Sequence, residues 1–144
     1  MRDGDVVLIL GSGVIGLSCL SAAREKRGTI LVSDLVASRL DFARSLGADA
    51  VIDASRMDPP EEVRRITAGR DVDTVIEAAA LEKKMYQAIS SVKYGGRVTI
   101  AGLLDEIIRV NILQVALKEI QLNGSYGTKC CAKLSALIAF RQSI

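Results

Sequence analysis

The sequence predicts an α/β fold in which helices cover both faces of one doubly wound, parallel sheet of six strands, expected in the order 3-2-1-4-5-6. Short apolar runs of strand length alternate with segments of helical periodicity along the 144 residues, and this alternation is typical of parallel sheets. The first run, Val6 to Leu10, leads directly into a turn of spaced glycines and then into a helix. Right-handed crossovers and a glycine turn after the first strand together favour this strand order.

The first half of the chain predicts three strand–helix units. Leu40, Ala43 and Leu46 recur at helical spacing, and Gly47 follows them where a helix commonly ends. Asp58 can cap the next helix, because it precedes two prolines that fit a first helical turn. The predicted elements are strands at 6–10, 29–33 and 50–52, and helices at 14–26, at 36–46 and from 58 to about 69.

The second half of the chain predicts three further strands. Gly95 and Gly96 are expected to form the turn into the fifth strand, and Gly102 is expected to end it. The predicted elements are strands at 72–77, 97–101 and 120–125, helices at 82–92, 112–118 and 133–141, and a short extra strand at 107–110. We therefore expect residues 1–144 to form one domain without a linker.

Composition excludes several classes of function. The net charge is +2 and aromatic residues are 3% of the chain, which argues against a nucleic-acid surface. The apolar runs are too short for a membrane span and the N-terminus lacks a signal-peptide layout, so we expect a cytoplasmic protein. Histidine is absent, which removes histidine-based nucleophilic catalysis and histidine zinc sites. Cys19, Cys130 and Cys131 are not spaced as a zinc cluster.

The glycine turn after the first strand predicts a dinucleotide site. Gly11, Gly13 and Gly16 follow the order G-x-G-x-x-G. The first permits a sharp turn, the second lets a pyrophosphate touch the backbone, and the third lets the helix pack on the strand. The helix N-terminus then presents N–H groups to the phosphates. Asp34 follows Gly13 by 21 residues, near the spacing of about 20 expected for a carboxylate that binds an adenosine ribose.

Small residues are expected to surround the same crevice. In the predicted order, the carboxyl ends of strands 1, 2, 4 and 5 lie together. These ends carry residues 11–16, Asp34, residues 78–80 and Gly102. Their small size leaves room for an extended ligand.

Together these motifs resemble the cofactor domain of the zinc-containing medium-chain alcohol and polyol dehydrogenases. The resemblance covers almost the whole chain, and its most specific part is the run D-x-x-x-x-R-L-x-x-A-x-x-L-G-A from Asp34 to Ala48. It implies a Rossmann-type domain that binds NAD for hydride transfer from an alcohol, a polyol or an amino-alcohol. It also implies that Asp34 binds both ribose hydroxyls, with Arg39 beside the same ribose. The cofactor-binding residues are then expected to be Gly11, Gly13, Val14, Ile15, Gly16, Asp34, Leu35, Arg39, Ala78, Ala79, Ala101, Gly102, Leu103 and Ser125.

The resemblance also implies what this chain lacks. Members of the family carry the catalytic zinc and the substrate pocket in an N-terminal barrel-like domain, and nothing in this sequence matches that domain. We therefore expect a dinucleotide-binding domain that binds cofactor without turnover and holds no catalytic or metal-binding residue. A homodimer through the edge of the sixth strand is expected, because the family joins two such domains there and an edge exposes unpaired backbone groups.

Two alternative functions stay open. An S-adenosylmethionine-dependent methyltransferase also uses a glycine turn and an acid after the second strand, although Gly16, Leu8 and Leu10 fit that class less well. A regulatory dinucleotide-sensing module would bind the same ligand without chemistry. The run from Asp34 to Ala48 favours the dehydrogenase domain.

Overall fold

The computed structural model describes residues 3–103 and 105–126 of the chain. The strands are β1 (Val6–Leu10), β2 (Thr29–Asp34), β3 (Ala50–Asp53), β4 (Val72–Glu77), β5 (Val92–Ile100) and β6 (Gln121–Gly124). The helices are α1 (Val14–Ala23), α2 (Ala37–Ser45), α3 (Pro59–Ile66), α4 (Glu82–Ser91) and α5 (Ile112–Leu117). The helix predicted at 133–141, together with Cys130 and Cys131, lies outside the described residues.

The six strands form one parallel sheet in the order β3-β2-β1-β4-β5-β6, which confirms the predicted fold class and strand order. β1 lies at the centre, where Leu8 pairs with Leu31 of β2 on one side and with Val75 of β4 on the other. The N–H of Val6 also donates to the carboxylate of Asp73 at 2.7 Å, which ties the start of β1 to β4. The direction of the crossovers reverses between β1 and β4, and open parallel sheets bind ligands at such a point.

Side-chain alternation along β1 divides the core into two layers. Val7 and Ile9 belong to a buried cluster with residues of α1 and α2. Leu8 and Leu10 belong to a second cluster with residues of α3 and α4. All four side chains are fully buried, and burying each contributes about 1.5–3 kcal/mol to folding. Helices therefore cover both faces of the sheet, because successive residues of a strand point to opposite sides.

β5 begins earlier than predicted and contains a bulge. Val72 pairs with Val92 whereas Thr74 pairs with Arg97, so two steps along β4 correspond to five along β5. Within this bulge Gly95 has a φ of +67°, a conformation that glycine adopts without steric penalty. The predicted glycine turn is therefore wrong as the boundary of the strand, since the chain is already paired with β4 before the glycines.

Residues 107–110 do not form a strand, which corrects the predicted extra strand. Ile108 and Val110 are half-buried against the core. The N–H of Arg109 donates to the carboxylate of Glu82 at 3.4 Å. These contacts draw the segment toward α4 instead of along the edge of β6.

Other boundaries differ from the prediction by a few residues. α1 ends at Ala23 and not at residue 26, because residues 24–27 form a turn and a bend. Asp58 precedes α3, but its side chain makes no capping hydrogen bond, contrary to the prediction. Pro59 and Pro60 begin α3, where their missing N–H groups cost no helical hydrogen bond.

Candidate functional site

Backbone hydrogen bonds join the carboxyl ends of β2, β1, β4 and β5 into one rim. The N–H of Gly11 donates to the end of β2 at 2.8 Å, and the N–H of Ala78 donates to the end of β1 at 2.9 Å. The N–H groups of Ala101 and Gly102 both donate to the Glu77 carbonyl at 2.8 Å. The sheet thus holds four of the predicted site residues at one edge.

The three glycines of the turn meet different surroundings. Gly11 has a φ of +99°, which side chains disfavour. A Cβ on Gly16 would lie 1.9 Å from the carbonyl oxygen of Gly11, so α1 packs on the turn as closely as atoms allow. A Cβ on Gly13 would meet nothing within 4 Å. Open space above Gly13 is therefore where a ligand can approach the main chain.

The N-terminus of α1 points into that open space. Its first intrahelical bond runs from the N–H of Leu17 to the carbonyl of Gly13 at 2.9 Å, so the N–H groups of Val14 and Ile15 have no partner within the helix. Unpaired N–H groups at the positive end of the helix dipole favour an anion. Val14 and Ile15 are also exposed apolar side chains. The turn can accept a phosphate and offers apolar contacts beside it.

Asp34 is a buried carboxylate at the end of β2. Its Oδ2 accepts hydrogen bonds from the N–H and the hydroxyl of Ser12 at 2.7 and 2.8 Å. Its Oδ1 accepts from the N–H of Val36 at 3.0 Å. Burial raises the pKa of Asp34, but the hydrogen bonds from Ser12 and Val36 outweigh burial and hold the pKa below its ordinary value. The side chain is therefore ionised at neutral pH and attached to the glycine turn.

A cleft of about 280 Å³ lies between the glycine turn, Asp34 and the loop after β4. It brings together half of the predicted site residues, namely Gly11, Gly13, Asp34, Leu35, Arg39, Ala78 and Ala79. It also includes three residues that the sequence did not single out, namely Val36, Leu81 and Lys84. Arg39 is an exposed residue of the cleft lining.

Lys84 is the functional candidate that sequence reasoning missed. Its side chain is only 5% exposed although it is charged. Burial lowers the pKa of Lys84, against the negative charges of Asp34 and Glu77, which raise it. One signal could have found it: Lys84 precedes buried Ala88 by one helical turn and so shares the inner face of α4.

The loop after β4 is held in place by Glu77. The Oε1 atom of this buried side chain accepts hydrogen bonds from the N–H groups of Ala79 and Ala80, both at 2.8 Å. Ala80 adopts a φ of +56°, which alanine rarely does. A Cβ on Gly102, two residues beyond β5, would lie 2.7 Å from the nitrogen of Ala80, so this position requires glycine. The floor of the cleft is therefore a fixed surface.

The remaining predicted residues lie outside the cleft itself. Gly16 is buried beneath the turn, while Val14 and Ile15 begin α1. Leu103 is exposed beyond β5, and the N–H of Ser125 donates to the end of β5 at 2.8 Å. These residues continue the rim toward β6. A ligand that touched all predicted positions would extend from the cleft across the turn to the end of β5.

The described part of the chain has neither a cluster of metal ligands nor a helix of membrane-spanning length. Residues 3–103 and 105–126 contain no group of three or more acidic, cysteine or histidine side chains that could hold a metal ion. Nor is any helix among them long and apolar enough to span a bilayer. The described residues therefore do not fit a catalytic zinc.

Comparisons with known proteins agree on one family. The sequence model of the zinc-binding dehydrogenases matches residues 14–142. Sorbitol dehydrogenase of Bacillus subtilis (strain 168) is 34% identical over 128 residues, which are 88% of this chain and 36% of that protein. (R,R)-butanediol dehydrogenase of Neisseria gonorrhoeae is 31% identical over 86% of this chain and 35% of its own length.

A solved structure shows a similar fold with a ligand. A zinc-binding dehydrogenase of Sinorhizobium meliloti 1021, crystallised with NADP, superposes with a TM-score of 0.81 at 32% identity. The match covers 87% of this chain and 38% of that one. The chain thus spans little more than a third of the length of these relatives.

Proposed function

The chain belongs to the zinc-binding dehydrogenase family, and from this premise we propose that it is the NAD(H)-binding domain of an enzyme that oxidises an alcohol, a polyol or an amino-alcohol. The observation that carries the proposal is the cleft itself. Open space above Gly13, the N-terminus of α1 and the ionised Asp34 lie side by side. The open space and the helix N-terminus suit the phosphates of a dinucleotide, and the carboxylate suits its ribose.

These residues supply binding and orientation in the proposal. The turn would hold the pyrophosphate, and Asp34 would accept a hydrogen bond from the ribose. The nicotinamide half would contact the exposed rim at Val14, Ile15 and Leu103. Bound NAD would supply the hydride acceptor. The rigid loop fixed by Glu77 would keep the adenosine half in one position.

We propose that hydride transfer takes place in a longer protein of which this domain is one part. The chain covers 36% and 35% of the two dehydrogenases named above, and the described residues offer no zinc site. We therefore place the zinc and the substrate pocket outside these residues, in a cytoplasmic enzyme. Formation of NADH from NAD and an alcohol by this chain alone would contradict that assignment.

The direct test of the proposed function is a comparison of ligands. Thermal unfolding of the chain would be followed with NADH, NADPH or S-adenosylmethionine at equal concentrations, because a ligand that binds only the folded state raises the melting temperature. We expect both dinucleotides to raise it. A response to S-adenosylmethionine alone would support the methyltransferase alternative and overturn the proposal.

Asp34→Ser is expected to reduce the preference for NADH over NADPH. The carboxylate repels a 2′-phosphate, whose charge is near −2 at neutral pH, so its removal should improve the NADPH-to-NADH affinity ratio by about tenfold. Isothermal calorimetry with both dinucleotides measures the ratio. Asp41→Ser is the matched control, because Asp41 is an exposed acid on α2. An unchanged ratio in the Asp34 variant, or wild-type protein that binds NADPH more tightly, would refute the prediction.

Two chains are proposed to pair along the border formed by β6 and α5. β6 ends the sheet, and three large apolar side chains of α5 are exposed beside it, namely Ile112, Leu113 and Leu117. Exposed apolar patches at a sheet edge mark interaction surfaces. Ile108 and Val110, in the segment predicted as a short extra strand, pack toward the core and are not part of this surface.

Light scattering is expected to show a dimer at micromolar concentration. Leu113→Lys combined with Leu117→Lys should give monomers, because the isologous contact would bring four new charges together. Phe42→Lys is the control, since Phe42 is an exposed apolar residue of α2, beside β2 and β3 at the other end of the sheet. A double variant that remains dimeric would place the interface elsewhere.

A further inference from the structure

Lys84 is a buried cation whose ammonium group makes no direct contact with a carboxylate among residues 3–103 and 105–126. Its side chain is 5% exposed, and it makes neither a hydrogen bond nor an ion pair with any residue that the structure describes. Burying an unpaired charge is unfavourable. Its position in the first turn of α4 raises the energetic cost of this charge further, because the N-terminal end of a helix repels cations. The charges of Asp34 and Glu77 only partly offset the cost of burying this ammonium group, so a negatively charged ligand would suit it.

The surroundings of Lys84 indicate which part of a ligand it meets. Lys84 lines the same cleft as Asp34 and Arg39, at the end of the site where the adenosine ribose is expected. Its nearest opposite charges are Asp34 and Glu77, and Lys83 beside it is exposed. Glu77 is already used by the loop after β4. The ammonium group therefore belongs to the part of the cleft that contains Asp34.

The hydrogen bonds of Asp34 leave room for a second group at the ribose. A carboxylate offers about four acceptor positions, and Ser12 and Val36 already occupy three of them. These hydrogen bonds leave Asp34 fewer free acceptor positions for a ligand. An ammonium group donates three hydrogen bonds and accepts none, and phosphate oxygens are its strongest acceptors.

We propose that Lys84 holds the 2′-phosphate of NADP(H), so that the site accepts both dinucleotides despite the carboxylate of Asp34. This inference rests on the proposed dinucleotide function and adds the residue that sets cofactor choice. Arg39 is the other basic residue of the cleft, but it is exposed, so salt screens its charge. Lys84 is shielded from solvent and acts on the phosphate at closer to full strength.

The test compares two neighbouring lysines by calorimetry with NADH and NADPH. Lys84→Gln should weaken NADPH binding by about tenfold and change NADH binding by less than about threefold. Lys83→Gln removes the same charge from the exposed position and should change either affinity by less than about twofold. Lys84→Arg, which keeps the charge, should retain most of the NADPH affinity.

Equal weakening of both dinucleotides by Lys84→Gln, or no change in either, overturns the role of Lys84 while the proposed function stands. Wild-type protein that binds neither dinucleotide overturns the proposed function and this inference together. The melting temperature of Lys84→Gln should equal or exceed that of the wild type, since no partner is lost. A clear decrease would mean that the ammonium stabilises the fold, which also overturns the inference.

Discussion

Replacing Gly13 with alanine is expected to remove most dinucleotide binding while the domain stays folded. The backbone at Gly13 has a φ of −72° and a ψ of −170°, which any residue adopts. A Cβ there would meet no protein atom within 4 Å, so the folded state tolerates it. The same Cβ would occupy the space in which a pyrophosphate must contact the main chain. Overfilling such a contact costs about 1–3 kcal/mol, which weakens binding by about fivefold to 150-fold.

Calorimetry with NADH, together with urea unfolding, separates the two effects. The free energy of unfolding of Gly13→Ala should lie within about 1 kcal/mol of the wild type, because the loss of a glycine N-cap and the gain from a stiffer unfolded chain oppose each other. Gly124→Ala is the control, since Gly124 also has open space around its Cα and lies in β6. Undiminished NADH affinity in Gly13→Ala would mean that the ligand does not approach the turn here.

Gly16→Ala, unlike Gly13→Ala, is expected to act mainly by lowering the stability of the folded domain. Its Cβ would lie 1.9 Å from the carbonyl oxygen and 2.9 Å from the carbonyl carbon of Gly11. Both are backbone atoms at the end of β1, so no side chain can move aside. Either α1 must shift away from the sheet or the turn must change. We expect a loss of about 3 kcal/mol in the free energy of unfolding, at the upper end of overpacking effects.

Urea unfolding of Gly16→Ala beside Gly13→Ala measures this difference in one experiment. Both variants add one methyl group near the same turn, where Gly13 has open space and Gly16 meets the backbone of Gly11. Dinucleotide binding by Gly16→Ala should also decrease, because the N–H groups of Val14 and Ile15 move with α1. Wild-type stability of Gly16→Ala would show that α1 does not pack on the turn as described.

The pattern of residues along the chain predicted the strands and the glycine turn well, because each depends on residues that are near in sequence. The apolar run at 6–10 and the glycines after it lie within one strand–turn–helix unit, and the structure has them at the predicted positions. Asp34 likewise ends its strand at a spacing that the unit fixes. The cleft lining around these residues followed from the strand order.

The features that local pattern did not predict depend on distant parts of the chain. The β5 bulge is set by the register against β4 and by a bond from the N–H of Gly95 to the carbonyl of Lys118 at 2.7 Å. The segment at 107–110 has strand-like residues, but Glu82 and the core draw it away from β6. The burial of Lys84 depends on how α4 sits against the sheet, and two adjacent lysines look alike in sequence.

The central position of β1 has a consequence for the order in which the chain can fold. β1 and β2 are joined by a single helix, so they can pair early through a short loop. The contact between Val6 and Asp73 instead closes a loop of 67 residues. Each doubling of loop length adds only about 0.6 kcal/mol of entropy loss, but such non-local pairings slow the folding of parallel sheets. Until β4 arrives, the second edge of β1 is an open template for another chain, so aggregation during refolding should depend on how fast β4 docks.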